Sequence, residues 1–212
     1  RKVSTPEDSS SSRMGESIYK FAVREIPGAF REAWYTERDR LNRRGKSEWH
    51  TANQILQSYA LSAILYAALI AAFGWTTLPF LFIHNVFAYW QLTSANYVEH
   101  YGLTRKHLGG GKYEHVLPRH SWNAAHKASN WLLINLQRHS DHHYKPDRRF
   151  PLLQTWEEKD APQLPYGYAV MGTLAMIPPL WRRRMNPRVR AWRKKFYPEI
   201  EDWQPYKLAT NP

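Results

Sequence analysis

The stretch ILQSYALSAILYAALIAAF, residues Ile55 to Phe73, carries no charged side chain. At about 1.5 Å of rise per residue, a helix of that length crosses a hydrocarbon core of roughly 30 Å. The run therefore predicts a transmembrane helix over 55–73. Gly74 to Leu78 then form a turn before Pro79, and a second uncharged run, PFLFIHNVFAYWQLTSANYV, covers 79–98. Two spans over 55–73 and 79–98 predict a membrane hairpin in an all-α helical bundle. A buried hairpin of a soluble protein is the alternative on composition alone. Arg38, Arg40, Arg43, Arg44 and Lys46 precede the pair, Arg105 and Lys106 follow it, and the connecting turn has neither Lys nor Arg. Cationic flanks stay inside, so both ends, and with them residues 99–212, are expected in the cytoplasm.

On the N-terminal side, residues 1–15 are polar, with a run of serines, and read as a surface loop. From Glu16 to Arg40, Ile18, Phe21, Ala22, Ile26, Ala29, Phe30, Ala33 and Trp34 recur at helical spacing, with a break expected at Pro27 and Gly28. An apolar stripe opposite an Arg-rich face suits a helix lying along a membrane surface.

On the C-terminal side, the second span runs into Asn96, Tyr97, Val98, Glu99, His100, Tyr101, Gly102 and Leu103. A histidine with an adjacent carboxylate where a span meets the cytoplasm is a candidate metal ligand. The strongest signal lies further on, in LQRHSDHH. His139, His142 and His143 fall at i, i+3 and i+4, so on a helix their imidazoles leave one face. His142 and His143 differ by about 100° around the axis, which lets them reach different ions. A solvated, His-rich helix end is the competing reading of this cluster. Asn130 to Gln137 reads as an apolar helix leading into it, with Leu132 and Leu136 either walling an apolar substrate channel or filling a core. Asp141, like Glu99, is placed to orient a ligating imidazole, or else is solvated. His50, His84, His107, His115, His120 and His126 lack mutual spacing and read as structural; Gly109–Gly111 lack a following Lys-Ser or Lys-Thr pair and read as a loop.

Composition narrows the chemistry. The chain of 212 residues has no cysteine. Thiolate sites, disulfides and cysteine nucleophiles are excluded, which leaves His and carboxylate as metal ligands. The net charge is +12 and the pI about 9.9. Tyr166 to Trp181 is apolar but too short to span with Pro178 and Pro179 inside it, and a basic run follows from Arg182 to Lys195. Beside membrane helices that run suits an anionic leaflet or an acidic redox partner; no nucleic acid is expected. The chain starts at Arg1 without Met, so the numbering is read as beginning inside a longer protein.

The order NYVEHYGL, then LQRHSDHH with YKPDRRFP, resembles the integral-membrane alkane 1-monooxygenases. RKVSTPEDSSSSRMGESIYKFAVREIPGAF looks like the stretch that follows that family's second histidine box. The resemblance implies a di-iron, non-haem enzyme of the bacterial inner membrane, multi-pass, with its His-rich metal region on the cytoplasmic side. It implies terminal hydroxylation of medium-chain alkanes with O2 and electrons from rubredoxin, separate or fused. By position it makes His100, His139, His142 and His143 ligands to two non-haem iron ions. The family's first and second histidine boxes are absent, so the remaining ligands and the rest of the bundle are expected from a missing N-terminal part. A membrane di-iron fatty-acid desaturase or hydroxylase, and a non-enzymatic basic module binding membrane lipid or an acidic partner, are the alternatives.

Overall fold

The computed structural model describes residues 2–203 and 206. It is dominated by helices: α1 Ile18–Asn42, α2 Gln54–Phe73, α3 Thr77–His100, α4 Lys127–Leu132, α5 His139–Tyr144, α6 Tyr168–Ala175 and α7 Pro178–Phe196. The all-α expectation omitted one feature, an antiparallel ribbon of β1 (His107–Gly109) and β2 (Lys112–Tyr113). Its turn is made by Gly110 and Gly111, which take positive φ angles, as Gly109 does. The chain divides into two compact units, one of Arg1–Glu25 with Thr93–Pro212 and one of Ile26–Leu92.

In the unit of residues 26–92, α2 begins at the cap Asn53, whose side chain accepts from the Ile55 and Leu56 amides at 2.9 and 3.2 Å. Glu37 accepts from the Gln54 amide at 2.6 Å while paired with Arg40, so α1 supplies a carboxylate to the N-terminus of α2. None of the twenty residues of α2 is buried. A helix this apolar with no buried side chain is suited to lipid, because in water such a surface invites aggregation. Among the described residues α2 alone is long and apolar enough to cross a membrane. The second expected span falls within α3, which is long enough, but Thr77, His84, Asn85, Gln91, Thr93, Ser94 and Asn96 dilute its apolar run. Tyr66 Oη donates to Asn85 Oδ1 at 2.8 Å, tying α2 to α3 halfway along the hairpin.

Three local expectations are corrected. Pro27 does not break α1, which is continuous from Ile18 to Asn42. Only the bond that Pro27 would donate to the Val23 carbonyl is lost, and Val23 is exposed, so water can satisfy that oxygen. The polar segment 1–15 is not a surface loop: Ser4, Thr5, Asp8, Ser11 and Ser12 are buried. Ser12 Oγ donates to the Tyr97 carbonyl at 2.7 Å and Ser4 Oγ to that of His120 at 2.8 Å. Serines are there because buried backbone carbonyls need compact donors. Finally, residues 130–137 are not one helix. α4 ends at Leu132, and Ile134 and Asn135 take φ angles of 51° and 62°.

The core of the other unit is aromatic. Tyr97, Tyr101 and Trp181 are fully buried, with ring centroids 5.2–5.3 Å apart. α7 presents Trp181, Met185, Val189 and Trp192 to this core at spacings of three and four, and leaves Arg182, Arg183, Arg190, Lys194 and Lys195 exposed. Pro178 and Pro179 start that helix rather than interrupt an apolar one.

Candidate metal centre

His100 is the last residue of α3, and the helix ends there for a visible reason. Gly102 follows in the left-handed region, at φ 70°, and its amide donates to the Ser12 carbonyl at 2.9 Å. A Cβ on Gly102 would lie 2.9 Å from both γ carbons of Val189, so only glycine lets the chain turn against α7. The Trp122 amide donates to the Glu99 carbonyl at 2.8 Å, and the Trp122 indole donates to the Tyr101 carbonyl at 2.9 Å. Residues 118–124 thereby grip the end of α3.

The same segment grips α5. Ser140 is wholly buried; its amide donates to Asn123 Oδ1 at 3.0 Å and its hydroxyl to the Pro118 and Ser121 carbonyls at 2.6 and 3.0 Å. Gln137, also wholly buried, accepts from the Tyr168 amide at 2.6 Å through Oε1 and donates to Ser129 Oγ at 3.0 Å. α5 is a helix of six residues with little intrinsic stability, so these side chains hold it in place.

Three imidazoles result. His100, His139 and His143 each offer a ligand atom, all within 4.8 Å of one another. His100 Nε2 and His139 Nε2 are 3.3 Å apart, and the His139 and His143 rings meet edge-on at 4.3 Å between centroids. Two nitrogens each about 2.1 Å from a shared ion lie roughly 3.0–3.4 Å apart, so this spacing fits metal ligation. Glu99 Oε2 is 3.2 Å from the same His139 Nε2, while Glu99 Oε1 and His139 Nδ1 are buried with no hydrogen-bond partner. A donor set of neutral nitrogens and one carboxylate, with a buried oxygen to spare, suits iron, manganese or zinc.

Burial drives the electrostatics. It pushes His100 down to about 4 and His139 well below its usual range, with repulsion from His143, His100 and His142 adding at His139. Both imidazoles are therefore neutral at pH 7, the form that ligates metal. Burial, with Glu25 nearby, pushes Glu99 up to about 8, so without a cation this carboxyl holds its proton at neutral pH.

The expected site residues separate. His100, His139 and His143 come together. His142 is exposed, and its ring is 5.9 Å from that of His139 and 5.5 Å from that of His143. Glu99 stands on the nitrogen of His139 that faces His100, not behind a ring. The orienting role expected of Asp141 is not seen: this wholly buried carboxylate accepts from Arg148 at 2.6 and 2.8 Å, from the Gln154 amide at 2.9 Å and from the Trp156 indole at 3.2 Å, and from no imidazole. Leu132 and Leu136 are 75% and 39% exposed and wall no channel among the described residues, because the break at 134–135 removes the shared helix face with His139.

Two clusters escaped the sequence reading. Buried Glu25 accepts from Thr93 Oγ1 and Asn96 Nδ2, each at 2.6 Å. His120, wholly buried, accepts from the Leu117 amide at Nδ1 (2.9 Å), so its hydrogen is on Nε2, facing Tyr197 Oη at 2.7 Å and Glu114 Oε1 at 3.2 Å. Glu25 sits at a helical position without a signal, and the partners of His120 are 6 and 77 residues away.

Imidazoles and a carboxylate gathered where a long helix ends make a histidine-rich candidate site for a non-haem metal. The chain belongs to the fatty acid desaturase family, whose pattern matches residues 1–175. It is 53% identical over 192 residues to alkane 1-monooxygenase 1 of Alcanivorax borkumensis, and equally to the alkane 1-monooxygenase of Ectopseudomonas oleovorans. Each alignment takes in 91% of this chain and 47% of the relative. The hydroxylase component of the xylene/toluene monooxygenase of Pseudomonas putida is 31% identical over 196 residues, 92% of this chain and 51% of that protein. The chain thus spans about half the length of the curated relatives it matches, and the likeness to alkane 1-monooxygenases expected from NYVEHYGL and LQRHSDHH is borne out.

Proposed function

We propose that this chain is part of a non-haem di-iron alkane monooxygenase of the bacterial inner membrane, hydroxylating the terminal methyl of medium-chain alkanes. The observation that carries the reading is the convergence of His100, His139 and His143 within 4.8 Å, with Glu99 Oε2 3.2 Å from His139 Nε2. Bound iron supplies activation of O2 by successive electron uptake. The chain's own residues do the rest. His100, His139 and His143 would hold one ion through their ring nitrogens. The Glu99 carboxylate, with Oε1 unpartnered, is placed to complete the ligand sphere and to take or return a proton at that oxygen. Burial of His100, His139 and Glu99, at 2%, 7% and 1% exposure, keeps water from an oxidising centre. A second ion needs ligands beyond these three imidazoles. His142 is free to turn toward one, together with histidines outside these 212 residues.

The orientation that supports this function puts the metal region on the cytoplasmic side of a hairpin formed by α2 and α3. The exposed cations of α7, Arg183, Arg190 and Lys194 among them, then offer a complementary surface to an acidic electron donor such as rubredoxin. An alkane has no hydrogen-bonding handle, so selectivity must come from apolar shape alone. The test is iron content together with turnover of octane, in membranes holding this chain and the remainder of the enzyme, with reduced rubredoxin. Octan-1-ol formed with about two irons per complex is expected. An unsaturated acyl product instead selects the desaturase reading, and absence of iron sinks both.

A further inference from the structure

Two turns beside α5 expose large apolar side chains. The end of α4 and the turn after it carry Trp131, Leu132 and Ile134, which are 69%, 75% and 62% exposed. The short 3-10 helix Phe150–Leu152, after α5, carries Phe150 and Leu152, 56% and 61% exposed. Asn135 Nδ2 donates to the Phe150 carbonyl at 3.2 Å, so the two turns lie side by side. Apolar side chains exposed singly are ordinary, but five on adjoining turns mark a surface that another body covers. The turns are firmly built. Buried Asn130 donates to the Ala124 carbonyl at 3.0 Å, the Asn135 amide donates to the Asn130 carbonyl at 2.8 Å, and Arg138 Nη1 donates to the Leu153 carbonyl.

Ile134 is the most telling of the five. A β-branched residue is disfavoured in the left-handed region, yet Ile134 takes φ 51° and stays outside the buried core. Two kinds of occupant come into question for such a face. Hydrocarbon is the poorer fit, because irregular backbone at membrane depth is tolerated only where protein or a water-filled cavity surrounds it, and both stretches turn. Protein is the better fit, and its source follows from length and from the metal centre. The chain spans about half the length of the relatives it matches, so each of them has roughly as much protein again. A second ion would need ligands beyond the three imidazoles. Such ligands have to approach α5, where His142 is exposed, and the two apolar turns flank α5 in the chain.

We propose that Trp131, Leu132, Ile134, Phe150 and Leu152 form the docking face for the remainder of the monooxygenase, which covers them with an apolar protein surface and thereby brings its own metal ligands up to α5. The docking face rests on the function proposed above, in which the chain is one part of a larger enzyme.

Photo-cross-linking tests it, in membranes holding this chain and the remainder of the enzyme, with p-benzoylphenylalanine in place of Leu132 in one variant and of Phe150 in another. Both positions are exposed, so the probe leaves the chain's own core intact. Mass spectrometry of the products identifies what covers the face. Peptides from the remainder of the enzyme are expected in both variants, in yields well above those from the same probe in place of exposed Lys194. Lipid adducts alone, cross-links confined to this chain, no cross-link, or an equal yield at Lys194 overturns the docking face. In parallel, Ile134→Asp/Phe150→Asp should lower the amount of the remainder that co-purifies with this chain by at least about tenfold, and an undiminished amount overturns it too. Iron content and octan-1-ol formation, measured on the same membranes, keep the two proposals apart. Turnover without these cross-links refutes the docking face alone, whereas cross-links without iron refute the metal function and leave the docking face standing.

Discussion

Replacing Asp141 with asparagine separates two roles for this carboxylate. If it oriented a ligating imidazole, the change would weaken metal binding and leave the fold almost untouched. The structure instead gives it Arg148 on both oxygens, the Gln154 amide and the Trp156 indole, so it fastens the segment after α5 to α5 itself. Breaking a buried ion pair costs about 3–5 kcal/mol. The Arg148 side chain is 23% exposed against 0% for Asp141, and solvent access to one partner reduces the figure to about 2–4 kcal/mol. Asparagine keeps one acceptor oxygen, which places Asp141→Asn toward the lower end and Asp141→Ala toward the upper. At about 2–4 °C per kcal/mol for a chain of this size, the midpoint of thermal unfolding should fall by roughly 5–15 °C. The assay is intrinsic-fluorescence unfolding in detergent, run with and without added iron on metal-depleted protein. The downward shift should be the same in both. A variant that unfolds like the parent without iron, yet loses the stabilisation that iron confers, would refute the anchoring role and restore the orienting one.

His143→Ala should abolish the high-affinity iron of the three-imidazole group, while His142→Ala should leave that ion in place; equal loss in the two, by metal analysis after chelator dialysis, would refute the assignment. Gly102→Ala should destabilise by about 2–4 kcal/mol, from the left-handed backbone and the clash with Val189, and Val189→Ala in the same chain should recover roughly half of it. Burial alone would raise Glu114, but hydrogen bonds from His120, the Lys106 amide and Tyr197 outweigh it and hold the carboxyl down to about 2 from its usual 4.5. That depression stabilises the folded protein above about pH 4.5, by about 1–2 kcal/mol after allowing for solvent screening, and is lost as pH falls toward 2. Glu114→Gln should lower stability at pH 7 and flatten the acid limb of the unfolding curve; an unchanged acid limb would contradict it.

The apolar run that sets the fold class was legible because hydropathy is a local property. Ile55 to Phe73 needs no tertiary information to read as a span, and α2 covers it within a residue at its start. The converging imidazoles were legible in part for a similar reason: His139 and His143 share a helix face by spacing alone. His100 was recognisable only from its place in NYVEHYGL, since nothing local to a lone histidine tells that α5 packs against it. Where the structure departs from the expected arrangement, a distant partner or a local turn of the backbone is the reason. Asp141 looked like a neighbour of imidazoles until Arg148, Gln154 and Trp156 claimed its lone pairs. Leu132 and Leu136 looked like one face until two residues with positive φ angles separated them. The segment 1–15 looked solvated because its residues are small and polar, yet those same residues are what a buried loop needs to satisfy distant carbonyls.

That loop also bears on how the metal centre is built. The end of α3 is fixed by the Ser12 carbonyl on the Gly102 amide, by the Ser4 carbonyl on the Arg105 amide at 2.8 Å, and by Trp122 on Glu99. α5 is fixed by Asn123 and by the carbonyls of Pro118 and Ser121. None of these contacts involves a ligating ring. The two ligand-bearing elements are thus held in register by neutral, backbone-directed hydrogen bonds that persist whether or not an ion is bound. The geometry of the three imidazoles thus comes from the scaffold, which leaves their ring nitrogens available to an ion.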